Sequence, residues 1–493
     1  MKDAAVYAKA LLKITIICTW IAMIGLLVQR TGVDQPTVEV GFSSVPDTLD
    51  FQQEWMGIYL RGKKAGYAVT TQERIGDLYV IREHSLMYLR VSGTKQRIEY
   101  RLRTTSDVEF TLRSFDSLLS SDGVEFGVAG EIKDGNLDLI VRTGNREERV
   151  TLSLDDVPFL TSCIKPYMVR KGLEIGKRYR FPFFDPSTMS KSEMLIHVEG
   201  KEELESDGAP VVTYRLRETY KGIETIAWVT EKGETIKEES PLGFTLVKES
   251  QEEAISGEWA KGEHEDIVGM TAVKCDRRIS NPRGVVKLKV RIDSAPGDDF
   301  ELEGGRQEVA DSVVAIEQED PAAFKTYLLP CTKEELSSYL AATPFIQSAD
   351  ERIVAQAKGI TQGVLDAETV VRQIVEWVYA NLEKKPTISI PSALEVLDHK
   401  RGDCNEHAAL FTALARAVGV PTRVCVGLVC MGDGFYYHAW AEVFLGIWVA
   451  VDPVLGQFPA DATHIRFVIG DVSDQLRMMR VVGRLQLEVL EYR

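Results

Sequence analysis

The longest apolar run lies close to the N-terminus, where residues 14–28 carry no charge. Three apolar residues extend it across Lys13, whose side chain would reach back to the interface, so the run approaches the roughly 20 residues of a membrane-spanning helix. Lysines precede the run and acidic residues follow it, which puts the N-terminus in the cytoplasm. We expect a cytoplasmic tip and signal-anchor helix in residues 1–30. A cleaved signal peptide is the alternative, but no small-residue cleavage site follows the run.

A different pattern begins after a polar linker at residues 31–50, which contains Gly and Pro. Apolar and polar positions alternate with a period of two through residues 51–260. This alternation is typical of antiparallel strands with one face on a core and the other in water, and it predicts a large antiparallel β-sheet domain. A second small β segment follows in residues 261–330. It is either a small sandwich or an extension of the first sheet.

The period changes again in residues 331–493, where helical spacing predicts a C-terminal α+β domain. "TKEELSSYL" predicts a helix that opens at Thr332, with Glu335 completing a capping box. Two further helices are predicted in "SADERIVAQAKGI" and "DAETVVRQIVEWVYANL", and closing strands in "VVGRLQLEVLEYR". The predicted fold class is therefore α+β multidomain, with an N-terminal signal-anchor helix, a large antiparallel β region and a C-terminal α+β domain.

Composition limits the classes of function that remain. The 493 residues are too many for one core, and 44% hydrophobic residues exclude wholesale disorder. The net charge of −16 argues against a nucleic-acid partner, which needs a basic face. The N-terminal run predicts a single-pass protein of the inner (cytoplasmic) membrane, with the bulk of the chain periplasmic or extracellular. Such a compartment tolerates disulfides, but seven cysteines leave at least one thiol unpaired.

The most informative cysteine opens a predicted helix over residues 404–418. Asp403 is a suitable N-cap, Glu406 completes a capping box, and Gly419 ends the helix. Cys404 then lies in the first turn, at the positive end of the helix dipole, where a thiolate is stabilised. This position predicts a nucleophilic cysteine.

A predicted hairpin carries a histidine and an aspartate. Residues 435–444 form one strand with His438 and Trp440 on one face, and "IWVAVDP" forms the returning strand, which ends near Asp452. Opposed residues share a face, so a two-residue loop would put Asp452 on the wrong face. A three-residue loop at 445–447 pairs Trp440 with Asp452 and brings Asp452 diagonally close to His438. We therefore predict a three-residue turn or a bulge.

These motifs together resemble the transglutaminase-like superfamily, a papain-related thiol fold. The likeness spans about residues 349–471 and rests on G-D-C at a helix start, "GVPTRV", H-A-W-x-E-V and W-x-x-x-D-P, with a "FPADATHIRF" tail like that of the bacterial branch. The resemblance implies that Cys404 is the nucleophile, that His438 is the general base and acid, and that Asp452 orients the imidazole. Asp403 and Trp440 would support these three residues.

The resemblance also implies a function. We expect a membrane-anchored, exported thiol enzyme that cleaves or transfers an acyl group of a protein or peptide amide through a Cys404 thioester. No cofactor or metal is expected, and the expected partners are a protein or peptide substrate and the membrane. The sequence leaves open the substrate and the choice between hydrolysis and amine transfer. The alternative is a non-catalytic envelope adaptor, because about 280 residues precede the thiol domain.

The remaining cysteines and histidines have simpler interpretations. Three histidines lack the paired spacing of a zinc site, and we expect surface or helix-capping roles for His399, His407 and His464. Two cysteines five apart on one predicted strand should be buried thiols, Cys425 and Cys430. Whether one disulfide forms is open for Cys163, Cys275 and Cys331. Trp448 is expected in the core.

Overall fold

The protein is described here from a computed structural model, which covers residues 51–493 apart from 145, 263, 294–299, 387–389 and 391. The predicted signal anchor (1–30) and linker (31–50) lie outside the described residues. Within the described ranges, no helix has both the length and the apolar character that a membrane span requires. The described residues fall into two compact units. We call residues 51–90 and 95–265 the sheet unit, and residues 91–94 and 266–493 the C-terminal unit.

The sheet unit is built on a 14-stranded antiparallel sheet. Its strands are β1 (Phe51–Leu60), β2 (Lys63–Ile75), β3 (Leu78–Val91), β4 (Thr94–Asp107), β5 (Leu112–Ser121), β6 (Val124–Lys133), β7 (Asn136–Thr143), β8 (Arg146–Ser153), β9 (Arg178–Asp185), β10 (Ser190–Ser206), β11 (Ala209–Tyr220), β12 (Ile223–Val229), β13 (Thr235–Glu239) and β14 (Phe244–Lys248). The spatial order runs from β8 down to β1 and continues from β14 down to β9. Two meanders therefore join where β1 pairs with β14.

The strands follow the alternation in the sequence. Strand β5 buries Phe115, Ser117 and Leu119 and leaves the residues between them more exposed. Tight turns connect the strands: φ is positive at both residues of Asp122–Gly123 (46° and 85°) and of Asp134–Gly135 (48° and 77°). Two-residue hairpin turns with this geometry match the twist of the strands they join, and Asp-Gly suits them. The predicted large antiparallel region is confirmed.

Helix α1 (Thr161–Lys171) covers part of this sheet. Ile164 and Met168 lie one turn apart and pack into a buried cluster with Phe181, Ile196, Val198, Tyr214, Leu216, Ala227 and Val229. Cys163, the neighbour of Ile164 in the chain, packs in a second cluster with Tyr79, Ile81 and Phe110. The helix therefore contacts strands of both meanders. The sequence did not indicate it, because a proline inside the helix hides the helical pattern. A short helix, α2 (Gln251–Ile255), follows β14.

The C-terminal unit contains two four-stranded sheets, with strand orders β16-β17-β15-β24 and β22-β21-β20-β23, and a parallel pair, β18 and β19. Its strands are β15 (Lys287–Asp293), β16 (Gln307–Ala310), β17 (Val313–Glu317), β18 (Glu383–Lys384), β19 (Arg401–Gly402), β20 (Thr422–Met431), β21 (Gly434–Phe444), β22 (Trp448–Val451), β23 (Ile465–Ile469) and β24 (Gln486–Tyr492). Its helices are α3 (Ile267–Thr271), α4 (Glu351–Thr361), α5 (Ala367–Asn381), α6 (Ala393–His399), α7 (Cys404–Ala417) and α8 (Val472–Gln475).

Helix α7 forms the centre of this unit. Every residue from Cys404 to Ala415 is buried, and the helix packs against α4, α5, α6 and strand β21. A helix that is buried on all sides has a fixed position, so its first turn can hold a side chain in one place.

Several local predictions are confirmed, and two are wrong. Helices α4 and α5 form where the spacing predicted them, and the chain closes with β24. The helix predicted from Thr332 is instead a six-residue 3₁₀ helix, Glu334–Tyr339, without a side-chain cap. Its N-cap position is held by Lys333, whose side chain cannot accept a hydrogen bond, and 3₁₀ turns are common in short connections of this kind. The second β segment is not an extension of the first sheet, because β15 pairs with β24.

The packing of α1 generates a prediction about stability. Ile164 is fully buried between α1 and the sheet. We expect Ile164→Ala to lower the free energy of unfolding of the sheet unit by about 2–5 kcal/mol, because the substitution leaves a cavity. Urea denaturation would measure the loss, and hydrogen exchange of β10–β12 would localise it. Ile175→Ala is the control, since Ile175 is 58% exposed. Equal losses in the two variants would contradict this packing.

Candidate active site

The predicted nucleophile lies at the start of α7, directly after the helix cap. The Asp403 side chain accepts hydrogen bonds from the backbone N–H groups of Asn405 (3.1 Å) and Glu406, and the Glu406 carboxylate accepts from the Asp403 N–H at 2.9 Å. This is the predicted capping box. A Cβ at Gly402 would lie 2.3 Å from the Glu406 Cβ, so the cap fits only beside glycine. The cap fixes the backbone on which Cys404 stands.

Cys404 itself is fully buried, at 0% exposure. Burial raises the pKa of its thiol well above the ordinary value, and the carboxylates of Asp403, Glu406 and Asp452 raise it further. The backbone N–H of Ala439 opposes this by hydrogen bonding to the sulfur. The expectation that the helix dipole stabilises a thiolate is therefore wrong for the resting protein, because desolvation and nearby carboxylates outweigh the dipole. At neutral pH the thiol keeps its proton.

The hairpin of β21 and β22 brings the other two predicted residues together. Phe444 pairs with Trp448, so the connection has three residues, 445–447, as predicted. His438 and Asp452 consequently lie on the same face of the hairpin. The Nε2 atom of His438 lies 2.7 Å from Oδ2 of Asp452, a hydrogen bond between two fully buried side chains.

Asp452 accepts four hydrogen bonds. Its Oδ1 accepts from the backbone N–H groups of Val454 (2.8 Å) and Leu455 (2.9 Å). Its Oδ2 accepts from the Nε2 atoms of His438 and of a second histidine, His464, at 3.0 Å. Burial alone would raise the pKa of Asp452, but the two histidines outweigh burial and hold the pKa well below its usual value. Asp452 is therefore an ionised carboxylate inside the protein.

The bond to Asp452 decides where His438 carries its proton. An ionised carboxylate can only accept, so Nε2 of His438 donates, and in the neutral ring Nδ1 is left with a bare lone pair. Nδ1 is buried and has no hydrogen-bond partner among the described residues. Burial lowers the pKa of His438, although Asp452 opposes this effect. At neutral pH the ring is uncharged and can accept a proton at Nδ1.

His464, which was not predicted at this site, is fully buried beside Asp452. Its Nδ1 lies 3.1 Å from the backbone oxygen of Asp461. The Asp461 carboxylate accepts from the backbone N–H (2.8 Å) and hydroxyl (2.5 Å) of Thr463 and forms an ion pair with Arg283 at 2.7 Å. The expected surface or capping role of His464 is wrong. The available signal was the Asp-x-Thr spacing before it, which forms a local turn that directs His464 inward.

The donor atoms of His438, Asp452 and His464 lie within 4.8 Å of one another, close enough to raise the question of a metal ion. Ligands that surround zinc tetrahedrally at 2.0–2.1 Å lie roughly 3.3 Å apart. The 2.7 Å between His438 and Asp452 is shorter and is a hydrogen-bond distance. The distance between these two side chains is therefore that of a hydrogen bond.

Trp440 and Glu442 occupy the same face of β21 as His438. Trp440, the predicted supporting residue, is fully buried; its ring stacks on His438 with centroids 6.3 Å apart and meets His464 edge-on at 5.2 Å. Glu442 is neutralised by Arg423 at 2.5 Å and Arg466 at 2.9 Å. Trp440 thus restricts the orientation of both imidazoles.

The six cysteines that the structure describes are all free thiols: Cys163, Cys275, Cys331, Cys404, Cys425 and Cys430. The open question of a disulfide among the first three is thereby answered, since none forms. Cys425 and Cys430 are buried, as predicted.

The other aromatic and histidine predictions have mixed outcomes. His399 is exposed, as expected. His407 is fully buried, its Nδ1 lies 2.6 Å from the backbone oxygen of Asp403, and burial lowers its pKa to about 4. Trp448 is only partly buried, because β22 is an edge strand.

Comparison with known proteins identifies the region that contains this site. Residues 354–453 match the family model of the Transglutaminase-like superfamily, so the chain carries a transglutaminase-like domain, as the sequence motifs predicted. This range includes Cys404, His438 and Asp452 and excludes His464. No curated protein matches the chain.

Three solved structures are similar to parts of the chain. A presumed cysteine protease from Cytophaga hutchinsonii is 15% identical over 42% of this chain and 86% of its own, with a TM-score of 0.29. A DUF1089 family protein from Pseudomonas aeruginosa is 15% identical over 42% and 97%, with a TM-score of 0.21. A presumed protease from Parabacteroides distasonis is 12% identical over 70% of each chain, with a TM-score of 0.18. At TM-scores this low, the similarities say nothing about the activity of this chain.

Glu395, on α6 near the helix cap, generates a prediction about pH. Burial and the nearby Glu406 carboxylate raise its pKa from 4.5 to about 7. A raised pKa means that the fold favours the protonated carboxyl, so this contribution to stability is complete below about pH 4.5 and is lost as the pH rises through 7. We expect Glu395→Gln to be more stable than the wild type by about 2–3 kcal/mol at pH 8 and equal to it at about pH 4, below the ordinary pKa of a glutamate.

Chemical denaturation at several pH values would measure this difference. Glu376→Gln is the matched control, because Glu376 is an exposed glutamate on α5. Its stability should follow that of the wild type at every pH. A Glu395→Gln curve parallel to the wild-type curve would show that Glu395 ionises normally.

Proposed function

We propose that this protein is a thiol enzyme that cleaves or transfers the acyl group of a protein or peptide amide through a thioester on Cys404. One observation carries the proposal: an ionised, buried Asp452 accepts from Nε2 of His438 and leaves Nδ1 of that ring as a base. Among the described residues, Nδ1 has no hydrogen-bond partner. The match of residues 354–453 to the Transglutaminase-like superfamily supports the same chemistry.

In the first half of the reaction, Nδ1 of His438 takes the proton of the Cys404 thiol while the sulfur bonds to the carbonyl carbon of the amide. The C–N bond of the tetrahedral intermediate then breaks, and His438 gives its proton to the leaving amine. Asp452 stabilises the transient imidazolium through Nε2. Because the resting thiol is protonated, proton transfer and attack belong to the same step.

In the second half, water or a second amine attacks the thioester. His438 takes a proton from the attacking group, the C–S bond breaks, and the proton returns to the sulfur of Cys404. Water gives hydrolysis, and an amine gives a new amide. The developing oxyanion needs donors, and we assign to it the Cys404 backbone N–H, which lies at the N-terminus of α7.

The proposed location follows from the sequence. We propose that the residue 1–30 segment anchors the protein in the inner membrane and that the rest of the chain acts outside the cytoplasm on envelope proteins or peptides. The alternative is an envelope adaptor that has the thiol fold without its chemistry. Simple alkylation does not separate the two, since a buried, protonated Cys404 reacts slowly in either case.

Acyl transfer to hydroxylamine tests the proposal without knowledge of the natural acceptor. The full chain, mixed with peptides from an envelope extract and hydroxylamine, should release peptide hydroxamates that mass spectrometry detects. Cys404→Ala should lower their rate of formation by more than about a thousandfold. Cys430→Ala, another buried free cysteine, is the matched control and should retain activity.

Two outcomes would overturn the proposal. Equal hydroxamate formation by Cys404→Ala and the wild type would place the chemistry elsewhere. No hydroxamate from a folded wild-type protein with any tested peptide, ester or amide would support the adaptor instead.

A further inference from the structure

We propose that His464 is a resident imidazolium, a positioning residue that shares the Asp452 carboxylate with His438 and keeps the resting His438 uncharged. Its effect at Cys404 rests on the proposed function. The charge on His464 does not, because it follows from the contacts of the ring alone.

The oxygen atoms of Asp452 and Asp461 that surround the ring determine how many protons His464 carries. Nε2 lies 3.0 Å from Oδ2 of Asp452, and Nδ1 lies 3.1 Å from the backbone oxygen and 3.5 Å from Oδ1 of Asp461. All of these oxygens accept and none donates. Each ring nitrogen must therefore carry a proton, and a ring with two protons is positively charged. His438 differs, because only one of its nitrogens has an acceptor.

The charges around His464 alternate along a chain. Arg283 pairs with Asp461 at 2.7 Å, Asp461 contacts His464, and His464 shares Asp452 with His438. With His464 charged, two carboxylates face two cations, and the chain ends at an uncharged imidazole. If His464 were neutral, Arg283 would be the one described cation paired with these two buried carboxylates, with Lys384 acting on Asp452 only electrostatically. Such a deficit of positive charge is costly without solvent.

Among the residues that the structure describes, no other charge in contact with His464 opposes this assignment. Arg306 donates to the backbone oxygens of Ala460 and Asp461, both at 2.9 Å, and its own carboxylate partner is Glu319 at 3.6 Å. Trp440 covers one side of the ring at 5.2 Å without a charge. Burial opposes a charged ring, but Asp461 and Asp452 outweigh it and raise the pKa of His464.

The cation has a consequence for His438. The two imidazole centroids are 5.8 Å apart, so a charge on His464 repels a second charge on His438. His464 also shares Oδ2 of Asp452 with His438, so the carboxylate stabilises a charge on His438 less than it would alone. The resting pair is then a neutral thiol and a neutral imidazole, and His438 becomes charged only during attack. His464 positions Asp452 and adjusts the basicity of His438 without touching substrate.

Ring-nitrogen NMR of the wild-type protein tests the charge directly. The chain has seven histidines, and full-length protein labelled with ¹⁵N in their rings would be assigned by single His→Gln variants. At pH 7.5 we expect both nitrogens of His464 at imidazolium shifts and His438 as the neutral tautomer with the proton on Nε2. A neutral His464, or one equivalent of bound metal with ligated-ring shifts, would overturn the proposal.

A substitution at His464 tests its effect on the reactivity of Cys404. His464→Gln removes the charge but keeps a side chain that can donate to Asp452, so His438 should gain basicity and the thiolate should form at lower pH. We expect iodoacetamide to alkylate Cys404 about tenfold faster than in the wild type at pH 6. His399→Gln, at an exposed histidine, is the control and should match the wild type.

The two tests fail independently. If peptide hydroxamates never form but His464 is an imidazolium, the proposed function fails and this assignment stands. If hydroxamates form but His464→Gln leaves the alkylation profile unchanged, or moves it to higher pH in a folded protein, His464 is only a structural residue.

Discussion

The ionised Asp452 carboxylate, held without any solvent contact, is the constraint on which the rest of the site depends. A buried charge persists only if its lone pairs are satisfied, and removing one partner costs several kcal/mol. Four donors from three segments meet this need: His438 on β21, the turn at Val454 and Leu455, and His464 before β23. All three segments donate to the two carboxylate oxygens of Asp452. The hairpin, the following turn and the residue 461–464 turn therefore form one unit.

The same constraint sets the kind of chemistry available. An enzyme can keep a cysteine as a thiolate or can remove its proton only when substrate is present. Here burial and nearby carboxylates favour the thiol at Cys404, and the position of the His438 proton leaves Nδ1 as the base. The helix cap of Asp403 and Glu406 fixes the backbone but adds negative charge near the sulfur. The arrangement favours a site that is inert at rest.

Much of this site could be predicted because strand alternation and helix capping depend only on residue type and spacing. Side chains alternate between the two faces of a strand. Whether the loop at 445–447 has an odd or an even number of residues therefore determines whether His438 and Asp452 lie on the same face. The cap at Asp403 follows from residue type and spacing. The large sheet follows from alternation and from turns such as Asp122–Gly123.

The rest depends on burial, which no local pattern reports. The pKa of Cys404 reversed from the expected direction because the helix start is desolvated, and desolvation exists only after α7 is covered on all sides. His464 looked like a surface residue because its partner Asp452 is 12 residues away and on another element. Helix α1 was missed because its internal proline hides the helical pattern and because the strands that bury it lie far away in the sequence.

The most direct test of the central claim is the single-turnover rate at which an activated ester acylates Cys404, compared between the wild type and Asp452→Asn by intact-protein mass. Asn keeps the size of the side chain but can donate, so it favours the wrong tautomer of His438. If Asp452 holds His438 as the base, acylation should slow by about 10²–10⁴-fold while the protein remains folded. An unchanged rate in a folded Asp452→Asn protein would contradict the account.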